Sequence, residues 1–242
     1  MSKNVSRKIA YTGIFTALVA VTTMVFQIYI PSTKGYFNIG ETMVYISALL
    51  LGPYIGAFAG GVGSAIADIV TGYFIYAPAT LVIKGIEGFI VGFLANRNIF
   101  KKKHYKILTL FLAIIISVII LLIGLSFYTG EASITLSLPS IFENTFSLYI
   151  PEIFWIVVSI SIGLIIFYIG INIDPDIGWI ALSTMLGGCE MVLGYFIYER
   201  FILGYYAFAE IPFNIAQAVI GLIISIFVYR YTAFLWKVLR KI

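Results

Sequence analysis

Long apolar segments, separated by short polar or Pro/Gly-rich segments, define the pattern of this chain. The pattern predicts helices over residues 8–30, 41–51, 54–72, 79–96, 107–127, 151–171, 178–199 and 211–236. Proline tends to start or end a helix, so Pro53 and Pro78 mark two of the boundaries. The chain is therefore expected to be all-α, with about eight helices and polar loops between them.

Several of these segments are long enough to cross a lipid bilayer, which takes about 20 mostly apolar residues. Residues 107–125 and 153–173 contain no charged side chain. The whole chain is 61% hydrophobic and 11% charged, whereas a typical soluble domain has about 25% charged residues. This composition excludes a soluble domain and predicts a polytopic membrane helical bundle, a single integral membrane domain over residues 1–242.

All but three of the basic residues, Lys34, Lys84 and Arg200, lie in three clusters, which predict the orientation of the helices. Cytoplasmic ends of membrane helices are enriched in Lys and Arg, so the N-terminus, the cluster around 97–106 and the C-terminus are expected to be cytoplasmic. The loops at 31–40, 73–78, 126–150 and 200–210 are then outside. The net charge of +4 is explained by topology and lipid contact, and we predict no nucleic-acid partner.

A few polar side chains interrupt the predicted spans: Asp68, Lys84, Glu87, Glu190, Asn214 and Gln217. A charged side chain at the centre of a membrane helix costs about 2.5–3.5 kcal/mol on insertion scales, and such residues usually serve function. Lys84 could pair with Asp68 on the neighbouring helix, with Glu87 three residues along its own helix, or with a ligand. Glu190 has no partner nearby in sequence, which favours a polar cavity.

Small residues recur at helical spacing on three predicted helices, where they allow close helix packing. On the third and fourth helices, packing within the chain explains them. The first helix is different, because a stripe there could equally contact a partner protein. The stripes are Ala10, Gly13, Ala17 and Ala20; Gly56, Gly60, Gly63 and Ala67; and Gly85, Gly88 and Gly92.

Catalytic motifs are absent from the sequence. His104 is the only histidine and Cys189 the only cysteine, and no Walker A motif occurs. We therefore predict no enzyme, no cofactor and no metal site. A self-sufficient secondary carrier or channel for a small polar metabolite stays open as an alternative, as does an intramembrane enzyme built on Asp68 and Glu190.

Four segments resemble a known family when taken in order: "NIGE", "GSAIAD", "YAPATLVIKGIEG" and "IPFNIAQ". They are similar to the substrate-binding S components of energy-coupling factor (ECF) transporters, in particular the riboflavin-type group. The resemblance covers about residues 8–100 and 178–236. It implies a six-helix membrane core that captures a vitamin or related micronutrient outside a prokaryotic cell. Its partners would be a transmembrane coupling subunit and two cytoplasmic ATPase subunits that use ATP.

The resemblance also implies residue roles. The small-residue stripe Ala10, Gly13, Ala17 and Ala20 would contact the coupling subunit. The substrate site would lie near Asn38, Glu41, Asp68, Tyr76, Lys84, Glu87, Glu190, Asn214 and Gln217. The substrate itself stays open among riboflavin, pyridoxine, a thiamine precursor and a pterin.

Residues 105–175 depart from the family pattern, because a hydrophobic hairpin with a long outer loop stands where the family passes directly into its fifth helix. Two extra spans preserve the orientation of everything that follows. We expect this inserted transmembrane hairpin to pack at the periphery or to cap the outer site.

Overall fold

A computed structural model describes residues 3–30, 35–97, 105–138, 142–172 and 175–239. Over these ranges the chain forms eight α-helices, one 3₁₀ helix and two β-hairpins. The helices are α1 (Lys3–Val25), α2 (Glu41–Leu51), α3 (Pro53–Thr71), α4 (Ala77–Ala95), α5 (Tyr105–Phe127), α6 (Glu152–Asn172), α7 (Pro175–Leu203) and α8 (Ile211–Leu239). The strands are β1 (Gln27–Ile30), β2 (Gly35–Asn38), β3 (Gly130–Leu138) and β4 (Phe142–Ile150). The prediction of a helical membrane bundle is confirmed.

Six helical segments are long and apolar enough to cross a membrane over the described part of the chain. They lie in α1, α3, α4, α5, α7 and α8. The apolar stretches of α2 and of α6, Glu41–Leu51 and Glu152–Tyr168, are shorter. Many large apolar side chains on the long helices are exposed, as expected for surfaces that face lipid.

The chain divides into two compact units, 1–99 with 179–242, and 100–178. The first unit contains α1, α2, α3, α4 and α8, nearly all of α7, and the β1–β2 hairpin. Within it, α2 is packed against α1, α3, α4 and α8, so a helix too short to span is surrounded by longer ones. Residues 44–49 of α2 are all buried.

Two segments that the sequence analysis assigned otherwise form the β1–β2 hairpin. The first helix, predicted to reach residue 30, ends at Val25. Residues 27–30 instead pair with 35–38 in antiparallel register, Gln27 opposite Asn38 and Ile30 opposite Gly35. The residue before a proline is disfavoured in the α conformation, and Ile30 precedes Pro31. A short apolar run does not by itself distinguish strand from helix.

Close backbone contact between α3 and α4 confirms the packing predicted from their glycines. A Cβ atom on Gly60 would lie 2.7 Å from the carbonyl oxygen of Lys84. One on Gly56 would lie 2.6 Å from the Cα of Ala48 on α2. Without side chains at these positions, three helix backbones approach one another, and the ionisable residues of α4 are held against α2.

The second unit, 100–178, consists of α5, α6 and the β3–β4 hairpin. The segment 126–150, predicted as a loop, contains a β-hairpin instead, because β3 and β4 pair from Gly130 opposite Ile150 to Leu138 opposite Phe142. The α5 and α6 helices pack on each other, and the indole Nε1–H of Trp155 donates a 2.9 Å hydrogen bond to the carbonyl of Tyr128.

The predicted outer loop at 200–210 is also mostly helical. The α7 helix continues to Leu203 and is followed by a 3₁₀ helix, Gly204–Ala209, that leads into α8. Gly204 has φ +61°, a left-handed conformation that suits glycine where one helix ends and the next begins.

Candidate functional site

A partly open pocket lies at one end of the first unit, with an empty volume of about 380 Å³. Its walls come from β2, α3, α4, α7 and α8, together with Tyr76 before α4 and Glu210 before α8. Six of the predicted site residues line it: Asn38, Asp68, Tyr76, Lys84, Asn214 and Gln217. Positions far apart in sequence thus converge on one cavity.

The first wall joins β2 to α3 through Tyr36 and Asp68. The phenol of Tyr36 donates a 2.5 Å hydrogen bond to Oδ1 of Asp68, and its ring lies 4.4 Å from that of Tyr73. Burial, together with the nearby Asp68, raises the pKa of Tyr36 above its ordinary value. The phenol therefore stays protonated and keeps its role as the donor.

The second wall joins β2 to α8 through a chain of amides. The backbone N–H of Asn38 donates to Oε1 of Gln217 at 2.6 Å, and Nε2 of Gln217 donates to Oδ1 of Asn214 at 3.1 Å. The side chain of Asn38 accepts a 2.8 Å bond from the N–H of Gly40, which turns the strand into α2. These bonds fix the end of the hairpin against the first turns of α8.

An ion-pair cluster lies at the inner side of the pocket. The Nζ of Lys84 contacts Glu41 at the start of α2 and lies 3.3 Å from Oε2 of Glu87. All three side chains are almost fully buried. Of the partners left open for Lys84, Glu87 forms an ion pair with it, and no ion pair between Lys84 and Asp68 occurs among the described residues.

Glu41 adds a second partner that sequence spacing did not indicate. The carboxylate is in the first turn of α2, where the positive end of the helix dipole favours an acid. Glu41 and Glu87 do not line the pocket. These two acids contact Lys84, and it is Lys84 that lines the pocket.

Three further side chains complete the wall between α4 and α7. Tyr195 donates a 3.0 Å hydrogen bond to Oγ1 of Thr80, and the Nζ of Lys84 lies 5.4 Å from the centre of its ring. Tyr76 lines the rim, and burial, followed by the charges of Glu199 and Glu210, raises its pKa above the ordinary tyrosine value.

Six of the residues that line the pocket are not in the site predicted from the sequence: Gly35, Tyr36, Thr80, Tyr195, Glu199 and Glu210. Tyr195 and Glu199 are four residues apart on α7, the spacing of one helix face. That spacing indicates that the two side chains share a face of α7. Which face of α7 is turned toward the interior is determined by the helices packed around it. Glu199 and Glu210 are 2% and 3% exposed.

Glu190 lies apart from the pocket lining. It is half-buried, its Oε2 has no hydrogen-bond partner, and it is near enough to Glu87 and Lys84 to interact with them electrostatically. It therefore faces the ion-pair cluster rather than the cavity. No group of three or more His, Cys, Asp or Glu side chains among the residues described here has the geometry of a metal site.

The small-residue stripe of α1 is mostly on the surface. Ala10, Gly13 and Ala17 are exposed and Ala20 is buried. A Cβ atom added at Gly13 would meet nothing within 4 Å. The outward part of the stripe is thus Ala10, Gly13 and Ala17, and Ala20 packs inside the bundle.

The chain was compared with known proteins. An uncharacterized protein in the gap 3'region of Pyrococcus woesei is 54% identical to this chain over 78 residues, which are 32% of this chain and 52% of that protein. The chain therefore spans about half the length of that relative.

The family model described as "ECF-type riboflavin transporter, S component" matches residues 3–146, more than half of the chain. The match includes β2, α3, Tyr76 and α4, which together supply more than half of the residues that line the pocket. By this match, and by its bundle of apolar helices around a polar pocket, the chain belongs to the ECF-type riboflavin transporter S component family.

Proposed function

We propose that this chain is the substrate-capture subunit of an ECF-type importer, and that it binds a water-soluble vitamin or related micronutrient. The observation that carries the proposal is the pocket itself. Side chains from five separate elements converge on one partly open cavity in a chain of this family. Three tyrosine rings and several polar side chains line it, and aromatic side chains with convergent polar groups in a cleft are features of small-molecule sites.

The pocket opens toward the outside in this proposal, in the cell membrane of a prokaryote. It lies where α3 ends and where α4 and α8 begin. By the positive-inside rule the opposite ends carry the basic clusters, so both termini are cytoplasmic. Substrate would then enter from outside, between the β1–β2 hairpin and the 3₁₀ helix.

The energy comes from partner subunits. A transmembrane coupling subunit would pack against α1, and two cytoplasmic ATPases would act through it. The exposed Ala10, Gly13 and Ala17 support this placement, because small residues let a second helix approach closely. The buried Ala20 would lie at the edge of that contact and not within it.

Native mass spectrometry of the protein purified from its own host tests substrate capture. We expect one vitamin-sized molecule per chain, and we expect the same compound to raise the melting temperature of ligand-free protein. As a control, Glu152→Gln changes an exposed acid on α6 and is expected to retain the molecule. A folded protein that retains no ligand and responds to none in a vitamin panel contradicts the proposal.

Transport in liposomes separates this proposal from a self-sufficient carrier or channel. Uptake is expected only when the coupling subunit and ATPases are present with ATP. Gly13→Trp fills the open face of α1, so we expect it to abolish co-purification of the coupling subunit while substrate binding persists. Uptake by the chain alone would instead establish the carrier alternative.

A further inference from the structure

Acidic side chains outnumber basic ones around the pocket. Asp68, Glu199 and Glu210 line it, and Lys84 is the one basic side chain that lines it among the residues described. Lys84 is already held between Glu41 and Glu87. The charge of Lys84 is therefore balanced by Glu41 and Glu87, and Lys84 does not neutralise the carboxylates that line the cavity.

Two of these carboxylates present an oxygen without a hydrogen-bond partner. They are the Oε2 atom of Glu199 and Oδ2 of Asp68, and each residue is only 2% exposed; the Asp68 carboxylate interacts with the Thr80 hydroxyl, so Glu199 is the acid that most lacks a donor. A buried carboxylate oxygen that lacks a donor is costly. Both residues line the cavity, so a molecule inside it is well placed to supply the missing donor.

The aromatic lining favours the same kind of molecule. Tyr36 and Tyr76 line the cavity beside the acids, and the Tyr36 ring is held in place by Tyr73. The faces of aromatic rings attract cations, and they do so more strongly where water is excluded. Acids and tyrosine rings together form a lining suited to a cationic nitrogen group.

We propose that the pocket selects a substrate that carries a positive charge, a protonated amine or a cationic nitrogen heterocycle, with Glu199 and Asp68 as its counter-ions. This inference rests on the proposed function and names the substrate class of the same site. Riboflavin, whose ring system is uncharged at neutral pH, fits this lining less well than a cation of similar size.

Pairs of probes that differ in charge test whether the pocket prefers a cation. Their affinities are measured by isothermal titration calorimetry with the purified full-length chain in detergent. Pyridoxamine and pyridoxine share one ring and differ by an ammonium in place of a hydroxyl. Thiamine, a fixed cation, is compared with riboflavin. We expect the cationic member of each pair to bind at least about tenfold more tightly, the scale of a hydrogen bond to a charged group.

Glu199→Gln keeps the shape of the side chain and removes its charge. We expect it to weaken binding of thiamine and pyridoxamine by about 10- to 100-fold and to leave binding of riboflavin, the uncharged probe, unchanged. We also expect the ligand-free variant to melt at a higher temperature than the wild type, because an amide replaces a buried carboxyl that lies near the like-charged Glu210. Glu199→Asp retains the charge and is expected to keep the cation preference, and Glu152→Gln is the matched control.

The outcomes separate this inference from the proposed function. Tight binding of riboflavin or pyridoxine with no preference for cations, or a neutral molecule retained from the host, overturns the inference and leaves substrate capture intact. A folded protein that binds none of the four probes and retains no host ligand overturns both. Should Glu199→Gln fail to fold, the preference of the wild-type protein within each probe pair decides the question.

Discussion

Lys84 on α4 and Glu41 on α2 form a buried ion pair that joins two helices beside the pocket. Glu87 contacts the same ammonium from one turn further along α4. The cluster therefore links the pocket, which Lys84 lines, to the short helix α2. The single ammonium of Lys84 offsets two neighbouring carboxylates, so the acids depend on it to be tolerated in the interior.

Lys84→Met removes the cation and leaves two buried acids unpaired. Breaking a buried ion pair by removing one partner costs about 3–5 kcal/mol, so we expect a loss of that order in the free energy of unfolding, measured by denaturant titration in micelles. The variant that also carries Glu41→Gln and Glu87→Gln is expected to recover most of the loss. If Lys84→Met folds with wild-type stability and only ligand binding is lost, Lys84 acts on the substrate and not as a structural ion pair.

Tyr36→Phe removes the donor that satisfies Oδ1 of Asp68. The buried carboxylate would then keep only its interaction with the Thr80 hydroxyl, and we expect the variant to lose about 1–3 kcal/mol of stability. Thermal denaturation of the purified protein measures it. Tyr29→Phe is the matched control, because Tyr29 lies opposite Tyr36 in the hairpin and is 47% exposed. Equal losses in the two variants would show that the Tyr36–Asp68 bond contributes nothing specific.

Gln217→Ala releases the end of the β1–β2 hairpin from α8, because the N–H of Asn38 loses its 2.6 Å acceptor. We expect faster hydrogen exchange across 35–38 and weaker ligand binding, while α8 stays folded. Ile28→Ala is the control, since Ile28 lies in the same hairpin and its side chain is 46% exposed. If the exchange rate changes as much in the control, the hairpin is not held mainly through Gln217.

Gly60→Ala tests the close approach of α3 to α4. The new methyl group would lie 2.7 Å from the Lys84 carbonyl oxygen, and we expect a cost of about 1–3 kcal/mol from the forced backbone shift. Weaker ligand binding should accompany it, because Lys84 moves with its backbone. In Gly85→Ala, the matched control on α4, the nearest atom is 3.6 Å away, and stability is expected to be unchanged or slightly raised. Equal stability of the two variants would show that a methyl group at residue 60 does not force α3 and α4 apart.

Much of the fold could be predicted from the hydrophobic pattern of the sequence and from the positions of its glycines. Apolar length determined that the chain is a membrane bundle, because a helix in lipid satisfies its own backbone hydrogen bonds. The spacing of Gly56 and Gly60 indicated a close helix pair, since small residues permit backbone approach wherever they recur on one face. Polar residues such as Asp68 and Lys84 were conspicuous for the same reason, as each is costly in an apolar segment.

Only the tertiary structure decided which polar groups meet. The choice of Glu41 over Asp68 as the partner of Lys84 depends on how three helices cross, and no local spacing encodes that. Tyr195 and Glu199 were missed because α7 is apolar on most of its surface, so its sequence does not show which face is turned inward. Residues 27–30 became a strand because their hydrogen-bond partners lie in β2, and pairing between segments is a property of the folded chain.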